Sequence, residues 1–258
     1  PRSTQGVSSA ASDVYKRQAS IILEPVARNT APAVAIAAFS AIEVNPDAVL
    51  LVLPADHHIK NHNAFSIAVN QATPAAEQGY LVSFGIVPDA AETGYGYIER
   101  GESLSIDNTE ASIFSIKRFV EKPNKQTAES YITDPNFSWN SGMFLFRADQ
   151  YLAELGAYAP EIYQASKQAF NQAYRDLDFI RVDEECFVAC PSDSIDYAVM
   201  EHTAKGAMLP LAAEWSDVGS WQAIWDISDK DKQGNVVVGD VLMPVSYTHL
   251  TLPTILLV

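Results

Sequence analysis

A carboxylate and two imidazoles stand together at Asp56-His57-His58, directly after the apolar run Val49-Leu50-Leu51-Val52-Leu53 and Pro54. Such a run, too short for a membrane span and stopped by proline, reads as a strand buried on both faces of a parallel sheet. In open α/β sheets ligands sit beyond the carboxyl ends of these strands. Asp56 is therefore the first candidate metal ligand, because a carboxylate placed there is costly to desolvate unless a hard cation compensates it. His57 and His58 are better read as capping or packing groups. An Asp-His-His cluster also suits the Mn or Zn centre of a metal-dependent phosphoesterase, but such a centre needs more Asp or His at other strand ends, and the five histidines are thinly spread.

Four further stretches could carry chemistry. In Trp215-Ser216-Asp217-Val218-Gly219-Ser220-Trp221, an Asp precedes a turn-permitting Gly, and Ser220 can cap a helix starting at Trp221. If Asp217 faces Asp56, the two carboxylates can hold one Mg²⁺ while substrate phosphates fill the remaining positions. Phe119-Val120-Glu121-Lys122-Pro123 ends a strand with an ion pair; Lys122 is a point charge suited to phosphate, Glu121 an acceptor for sugar hydroxyls, and Pro123 favours an extended Lys122. Trp139-Asn140-Ser141-Gly142-Met143 places an amide, both donor and acceptor, before a tight glycine, and Gly96 in Gly94-Tyr95-Gly96-Tyr97 lets the backbone approach a ligand closely. Each of these also has a bland reading as a turn, a bulge or a surface ion pair.

The elements that position these residues alternate. Ile21-Ile22-Leu23 is a short strand, Thr30-Ala31-Pro32 reads as an N-cap with proline in the first turn, and Ala33 to Val44 is an apolar helix. After the central strand come a helix from Asn63 to about Gly79 and a strand from Tyr80 to Ile86. Strand, helix, strand, helix, strand makes an α/β class with parallel crossovers. Gly94 to Glu99 and Ala111 to Val120 read as paired strands, Lys125 to Tyr131 as a helix and Ser141 to Arg147 as a buried strand. Helices follow at Asp149 to Tyr158, Glu161 to Ala173, Asp196 to Lys205 and Trp221 to Ile227.

At 258 residues the chain can bury a substantial core. Its net charge of -15 argues against a general affinity for nucleic acid, which needs basic stripes. A protein this acidic that handles phosphates must bring a few Lys or Arg, backbone N–H groups and a divalent cation to the site. No apolar segment reaches membrane length and no leader pattern stands near the start, so the expected location is the cytoplasm. Cys186 and Cys190, the only two cysteines, read as free thiols of a reducing compartment.

Taken together the motifs are specific. Glu24-Pro25 with Arg28-Asn29-Thr30-Ala31-Pro32-Ala33, Leu53-Pro54-Ala55-Asp56-His57, Gly94-Tyr95-Gly96-Tyr97-Ile98 and Phe119-Val120-Glu121-Lys122-Pro123 come first. Trp139-Asn140-Ser141-Gly142-Met143-Phe144, Ser194-Ile195-Asp196-Tyr197-Ala198-Val199-Met200-Glu201 and Trp215 to Trp221 follow. In this order they resemble the bacterial mannose-1-phosphate guanylyltransferases over residues 19 to 244. The resemblance implies a Rossmann-like three-layer α/β/α nucleotidyltransferase with a mostly parallel mixed sheet, making GDP-mannose and pyrophosphate from GTP and mannose 1-phosphate. It further implies Asp56 and Asp217 as Mg²⁺ ligands, Lys122 on the sugar phosphate, and Glu121, Asn140 and the Gly96 backbone on the mannose. The segment from Glu24 to Thr30, with Arg28 and Asn29, would lie along the base.

The family's Gly-rich signature, whose loop amides grip the triphosphate, has no counterpart here. Residues 1–18 and 245–258 read as non-family extensions flanking a partial domain, incomplete at its N-terminus, with little or no transferase activity of its own. The rivals are the phosphoesterase of Asp56, His57 and His58 and a non-catalytic nucleotide-sugar-binding paralogue. The oligomeric state is open, a homo-oligomer included.

Overall fold

The computed structural model describes residues 20–240, so the extensions 1–18 and 245–258 lie outside the described residues. The chain divides into two units, Pro1–Trp215 and Ser216–Val258. Unit 1 begins with β1 (Ile21–Leu23), α1 (Thr30–Val44), β2 (Val49–Val52), β3 (His58–Ile59), α2 (His62–Glu77) and β4 (Leu81–Ile86). It continues with β5 (Tyr97–Ser103), β6 (Phe114–Val120), α3 (Lys125–Tyr131), β7 (Phe137–Arg147), α4 (Ala148–Tyr158) and α5 (Pro160–Asn171). Last come β8 (Tyr174–Asp176), β9 (Phe179–Arg181), α6 (Glu184–Val188), a π-helical turn (Asp196–Met200) and β10 (Gly206–Pro210).

Local chemistry sets the helix starts. The Asn29 side chain accepts the Thr30 N–H (2.9 Å), Asn61 accepts that of Ala64 (3.0 Å) and Asn124 that of Thr127 (3.0 Å), each satisfying a donor the helix leaves over. Asn29, not Thr30, is thus the cap of α1, and Pro32 in the first turn costs no helical bond. On α2 the buried residues Ala68, Ala72, Ala75 and Ala76 recur at helical spacing and let the helix approach the sheet closely.

The main sheet has the order β2-β7-β4-β10-β6-β5, and β5 pairs with β7 as well. Alternation along the strands divides the core. Leu81, Phe144, Phe146 and Met208 join α1, α4 and α5 on one face, while Val82, Phe84, Met143, Leu145 and Leu209 join α2 and α3 on the other. This is the expected α/β/α layering. The sheet is mixed as expected, with β2, β4, β5 and β10 running one way and β6 and β7 the other, but the two opposed strands are interleaved: among the described pairings β4–β10 is parallel, and β2–β7, β4–β7, β5–β6, β5–β7 and β6–β10 are antiparallel. The crossover from β2 to β4 does run the two strands in the same direction, but the later strand β7 lies between them and opposes both.

Two local expectations also change. β2 is not buried on both faces: it is the sheet's edge strand among the described residues, with Leu51 38% exposed and, just past the strand, Leu53 47%. The helix expected from Asp196 to Lys205 is only the π-helical turn ending at Met200. A separate three-stranded sheet, β1-β9-β8, holds the start of the described chain. β3 lies beside residues 213–214, where Lys60 N–H donates to the Glu214 carbonyl (3.2 Å) and Asn61 N–H to that of Ala213 (3.1 Å).

In unit 2, α7 (Trp221–Ile227) starts on Ser220, whose hydroxyl accepts the Ala223 N–H (3.1 Å). The Trp225 indole donates to the Gly234 carbonyl (2.9 Å) and carries the Lys230 ammonium over its ring (4.2 Å).

Candidate active site

β7 carries an irregularity that builds one wall of the site. Ser83 pairs with Phe144 and Gly85 with Asn140, so two steps along β4 correspond to four along β7. The excess is taken up at Ser141-Gly142-Met143, with Gly142 at φ +68, a left-handed conformation that favours glycine. This bulge turns Asn140 and holds its amide. Its Oδ1 accepts from the Ser83 hydroxyl (2.9 Å) and the Gly142 N–H (3.2 Å), its Nδ2 donates to Asp196 Oδ1 (2.8 Å), and its backbone N–H donates to the Gly96 carbonyl (2.8 Å).

Opposite stands Glu121, one residue past β6. Its side chain is 10% exposed, Oε1 lies 3.3 Å from the Lys122 ammonium, and the buried Oε2 has no hydrogen-bond partner among the described residues. Burial first, then the Asp196 charge, pushes the Glu121 carboxyl above the ordinary carboxylate range, and the Lys122 charge partly opposes this. Asp196 is likewise raised, chiefly by burial, with the Asn140 amide pulling the other way.

Gly96 lets these groups converge. A Cβ built on it would overlap Glu121 Oε2 and come within 3.2 Å of Asn140 Cβ, so both side chains lie over its bare Cα. Gly96→Ala should therefore displace Glu121 or Asn140 and, on the sugar-phosphate role that the motifs imply, weaken binding about 10-fold or more, the loss of one charge-assisted hydrogen bond. Titration calorimetry with a sugar 1-phosphate checks this; unchanged affinity would show that the close packing of Glu121 and Asn140 on Gly96 is not used.

Lys122 departs from expectation. Proline follows it, yet its φ is +46 rather than extended. A non-glycine residue in that region is strained by about 1–3 kcal/mol and is held there by its surroundings. The Lys122 side chain is 61% exposed, with the ammonium 3.3 Å from Glu121 Oε1.

The segment from Glu24 to Thr30 is tied down. Arg28 donates through Nε to the Phe187 carbonyl (3.4 Å) and through its terminal nitrogen to that of Val188, at the end of α6. Thr30 Oγ1 accepts the Ile195 N–H (2.9 Å), and Ala31 N–H donates to the Asp193 carbonyl (3.1 Å). Asn29, at φ 67 and ψ -168, occupies a conformation almost reserved for glycine. Glu24 and Pro25 line a cleft of about 510 Å³ with Tyr174, Arg181 and Asp183, and burial raises the Glu24 carboxyl.

Asp56 lies exposed in the turn after β2, and His57 Nδ1 accepts the Trp215 indole N–H (3.1 Å). That bond removes one imidazole nitrogen from metal coordination and weakens the phosphoesterase reading. Asp217 belongs to unit 2, where its Oδ1 accepts the Gly219 N–H (3.2 Å) and Val218 turns through a positive φ of 54. Glu121, Asn140 and Gly96 thus meet in one place with Lys122 at its rim. Asp196 is the partner that reasoning from residue types did not assign; its signal was an acid at the head of an otherwise apolar Ala198-Val199-Met200 run.

A family model described as Nucleotidyl transferase matches residues 2–234. The chain belongs to the nucleotidyl transferase family. Among curated relatives, the mannose-1-phosphate guanylyltransferase of Salmonella montevideo is 55% identical over 231 residues, 89% of this chain and 48% of that protein. That of Escherichia coli K12 is 54% identical over 224 residues, 86% of this chain and 47% of that protein. The chain spans about half the length of these relatives. A Thermus thermophilus structure titled mannose-1-phosphate geranyltransferase superposes with a TM-score of 0.75 at 32% identity, covering 90% of this chain and 64% of that one. A mannose-6-phosphate isomerase structure from Helicobacter pylori superposes at 0.71 with 31% identity, covering 81% and 78%. The α/β nucleotidyltransferase fold inferred from the motifs is therefore borne out. Nucleotidyl transferases of this kind generally use a divalent metal ion. No helix among the described residues is long and apolar enough to cross a membrane.

Proposed function

We propose that this chain carries the catalytic half of a mannose-1-phosphate guanylyltransferase, transferring GMP from GTP to mannose 1-phosphate. The names of its relatives support the activity. The observation that carries it to particular residues is the buried Glu121 oxygen over Gly96, unpartnered among the described residues and next to an amide donor and a lysine. A buried carboxylate oxygen without a partner is costly, and a hydroxyl of the incoming sugar offsets that cost.

In this reading Glu121 accepts from the mannose, Asn140 and the Gly96 backbone complete its pocket, and Lys122 neutralises the sugar phosphate. One oxygen of that phosphate attacks the α-phosphorus of GTP in line. The new P–O bond forms as the bond to the β-phosphate oxygen breaks, and pyrophosphate leaves with its electron pair. Asp56 and Asp217 would hold Mg²⁺, which when bound supplies charge neutralisation on the phosphates. The segment from Glu24 to Thr30 would border the base, Arg28 acting there by anchoring the loop through its bonds to α6. Alignment and charge neutralisation suffice, so no protein nucleophile is required.

The test is isotope exchange with the full-length protein. Labelled pyrophosphate should enter GTP only when GDP-mannose and a divalent ion are both present. Release of inorganic phosphate without that exchange would sink the proposal in favour of a phosphoesterase, and GDP-mannose binding without exchange would leave only a binding paralogue.

A further inference from the structure

An amide side chain has two faces of opposite chemistry, and at Asn140 the choice between them is decided by groups that can play only one role. The Gly142 N–H can only donate and faces Oδ1 at 3.2 Å; an ionised Asp196 carboxylate can only accept and faces Nδ2 at 2.8 Å. The Ser83 hydroxyl, able to do either, donates to Oδ1. The amide nitrogen is also the end that reaches the bare face of Gly96, 3.5 Å from where a Cβ would stand, and Glu121 Oε2 overlooks the same spot. Were the amide reversed, Oδ1 would point at Asp196 and sit near Glu121, three acceptors together.

We infer that Asp196 is a positioning residue that acts through Asn140, locking its amide so that the cluster of Asn140 and Glu121 over Gly96 offers one donor and one acceptor to adjacent sugar hydroxyls. Nδ2 has two hydrogens. One goes to Asp196, and the other donates to a sugar oxygen whose neighbouring hydroxyl donates to Glu121. A vicinal diol satisfies both groups at once, whereas a sugar lacking either hydroxyl leaves a buried group unpaired.

The placement of Asp196 reinforces this role. It heads a π-helical turn, an irregularity common at functional sites, and the residues before it are pinned to the start of α1 through Ile195 N–H to Thr30 Oγ1 and Ala31 N–H to the Asp193 carbonyl. Its carboxylate is thus fixed from the backbone side as well as by the amide.

This inference rests on the sugar-pocket reading above, and the experiment separates the two. In the full-length protein, Asp196→Ala should raise KM for mannose 1-phosphate about 10-fold while KM for GTP changes less than about 2-fold. Asp196→Asn, whose carbonyl still accepts, should recover most of the affinity. The decisive comparison is a double-mutant cycle: Asn140→Ala combined with Asp196→Ala should be no worse than Asn140→Ala alone. Should Asp196→Ala melt below the assay temperature, Asp196→Val, which fills more of the space, takes its place in the cycle. Losses that add in the cycle, an unchanged KM for the sugar phosphate, or equal rises for both substrates would overturn the inference while leaving the transferase intact. A wild-type protein that makes no nucleotide sugar would remove the pocket reading and the inference with it.

Discussion

Glu121→Gln is expected to make the protein harder to melt and worse at its chemistry. The folded environment raises the Glu121 carboxyl through burial and the Asp196 charge. A group whose folded pKa lies above its unfolded one contributes stability that is present below the unfolded pKa and lost as pH rises through the folded pKa. Near neutral pH the ionised carboxylate therefore costs stability, and glutamine removes that cost. Tm should rise near pH 7, and the gain should vanish in acid below the ordinary carboxylate range. Activity should move the other way. A charged acceptor is worth about 1.5–3 kcal/mol, so kcat/KM for the sugar phosphate should fall about 10- to 100-fold. Acidification should weaken sugar-phosphate binding in the wild type at a pH above the ordinary carboxylate range. The groups facing Glu121 are Lys122, Asp196 and Glu201, and the raised Asp196 leaves a residual acid limb in the variant. Calorimetric melting and a pH series of KM check both directions; a lower Tm near neutral pH would show that the carboxylate is structural.

Asp217→Asn and Asp56→Asn should each reduce metal-dependent turnover about 10³-fold, the equivalent of about 4 kcal/mol of charge stabilisation. Tm should shift by no more than about 2 °C, because Asp56 is exposed and Asp217 only half-buried. Turnover that survives Asp217→Asn unchanged, measured across a magnesium titration, would remove that residue from the site.

Much of the fold was legible because local signals agree with it. The strand Ile21–Leu23 and the helices Lys125–Tyr131 and Trp221–Ile227 fall where apolar spacing, proline and caps place them. What could not be read is non-local. Nothing near β2 or β4 announces that β7, distant in sequence, separates them, and the antiparallel pairs β2–β7 and β4–β7 follow from that insertion. β10 was missed because Gly206 and Pro210 frame a five-residue run that propensity alone discounts. The hairpin of β8 and β9 is missed because its first strand is wholly exposed and has no alternation to reveal it. Within the candidate site, Glu121, Asn140, Gly96 and Asp196 all stand in recognisable motifs, but Asp196 draws no role from its residue type, because its importance lies in the amide it faces. Lys122 is exposed and left-handed, a departure from the extended backbone that a following proline favours and one that no local signal announces.

The doubled-back step at Ser141-Gly142-Met143 has a consequence for anyone seeking a sturdier version of this protein. Deleting two residues there would give β4 and β7 an unbroken ladder, and design by regularity would favour it. The same deletion would swing Asn140 out of line with Ser83 and Asp196. Ruggedness gained by smoothing this seam would come from the very crease that aims the amide, so stabilising changes belong on the outer helices instead.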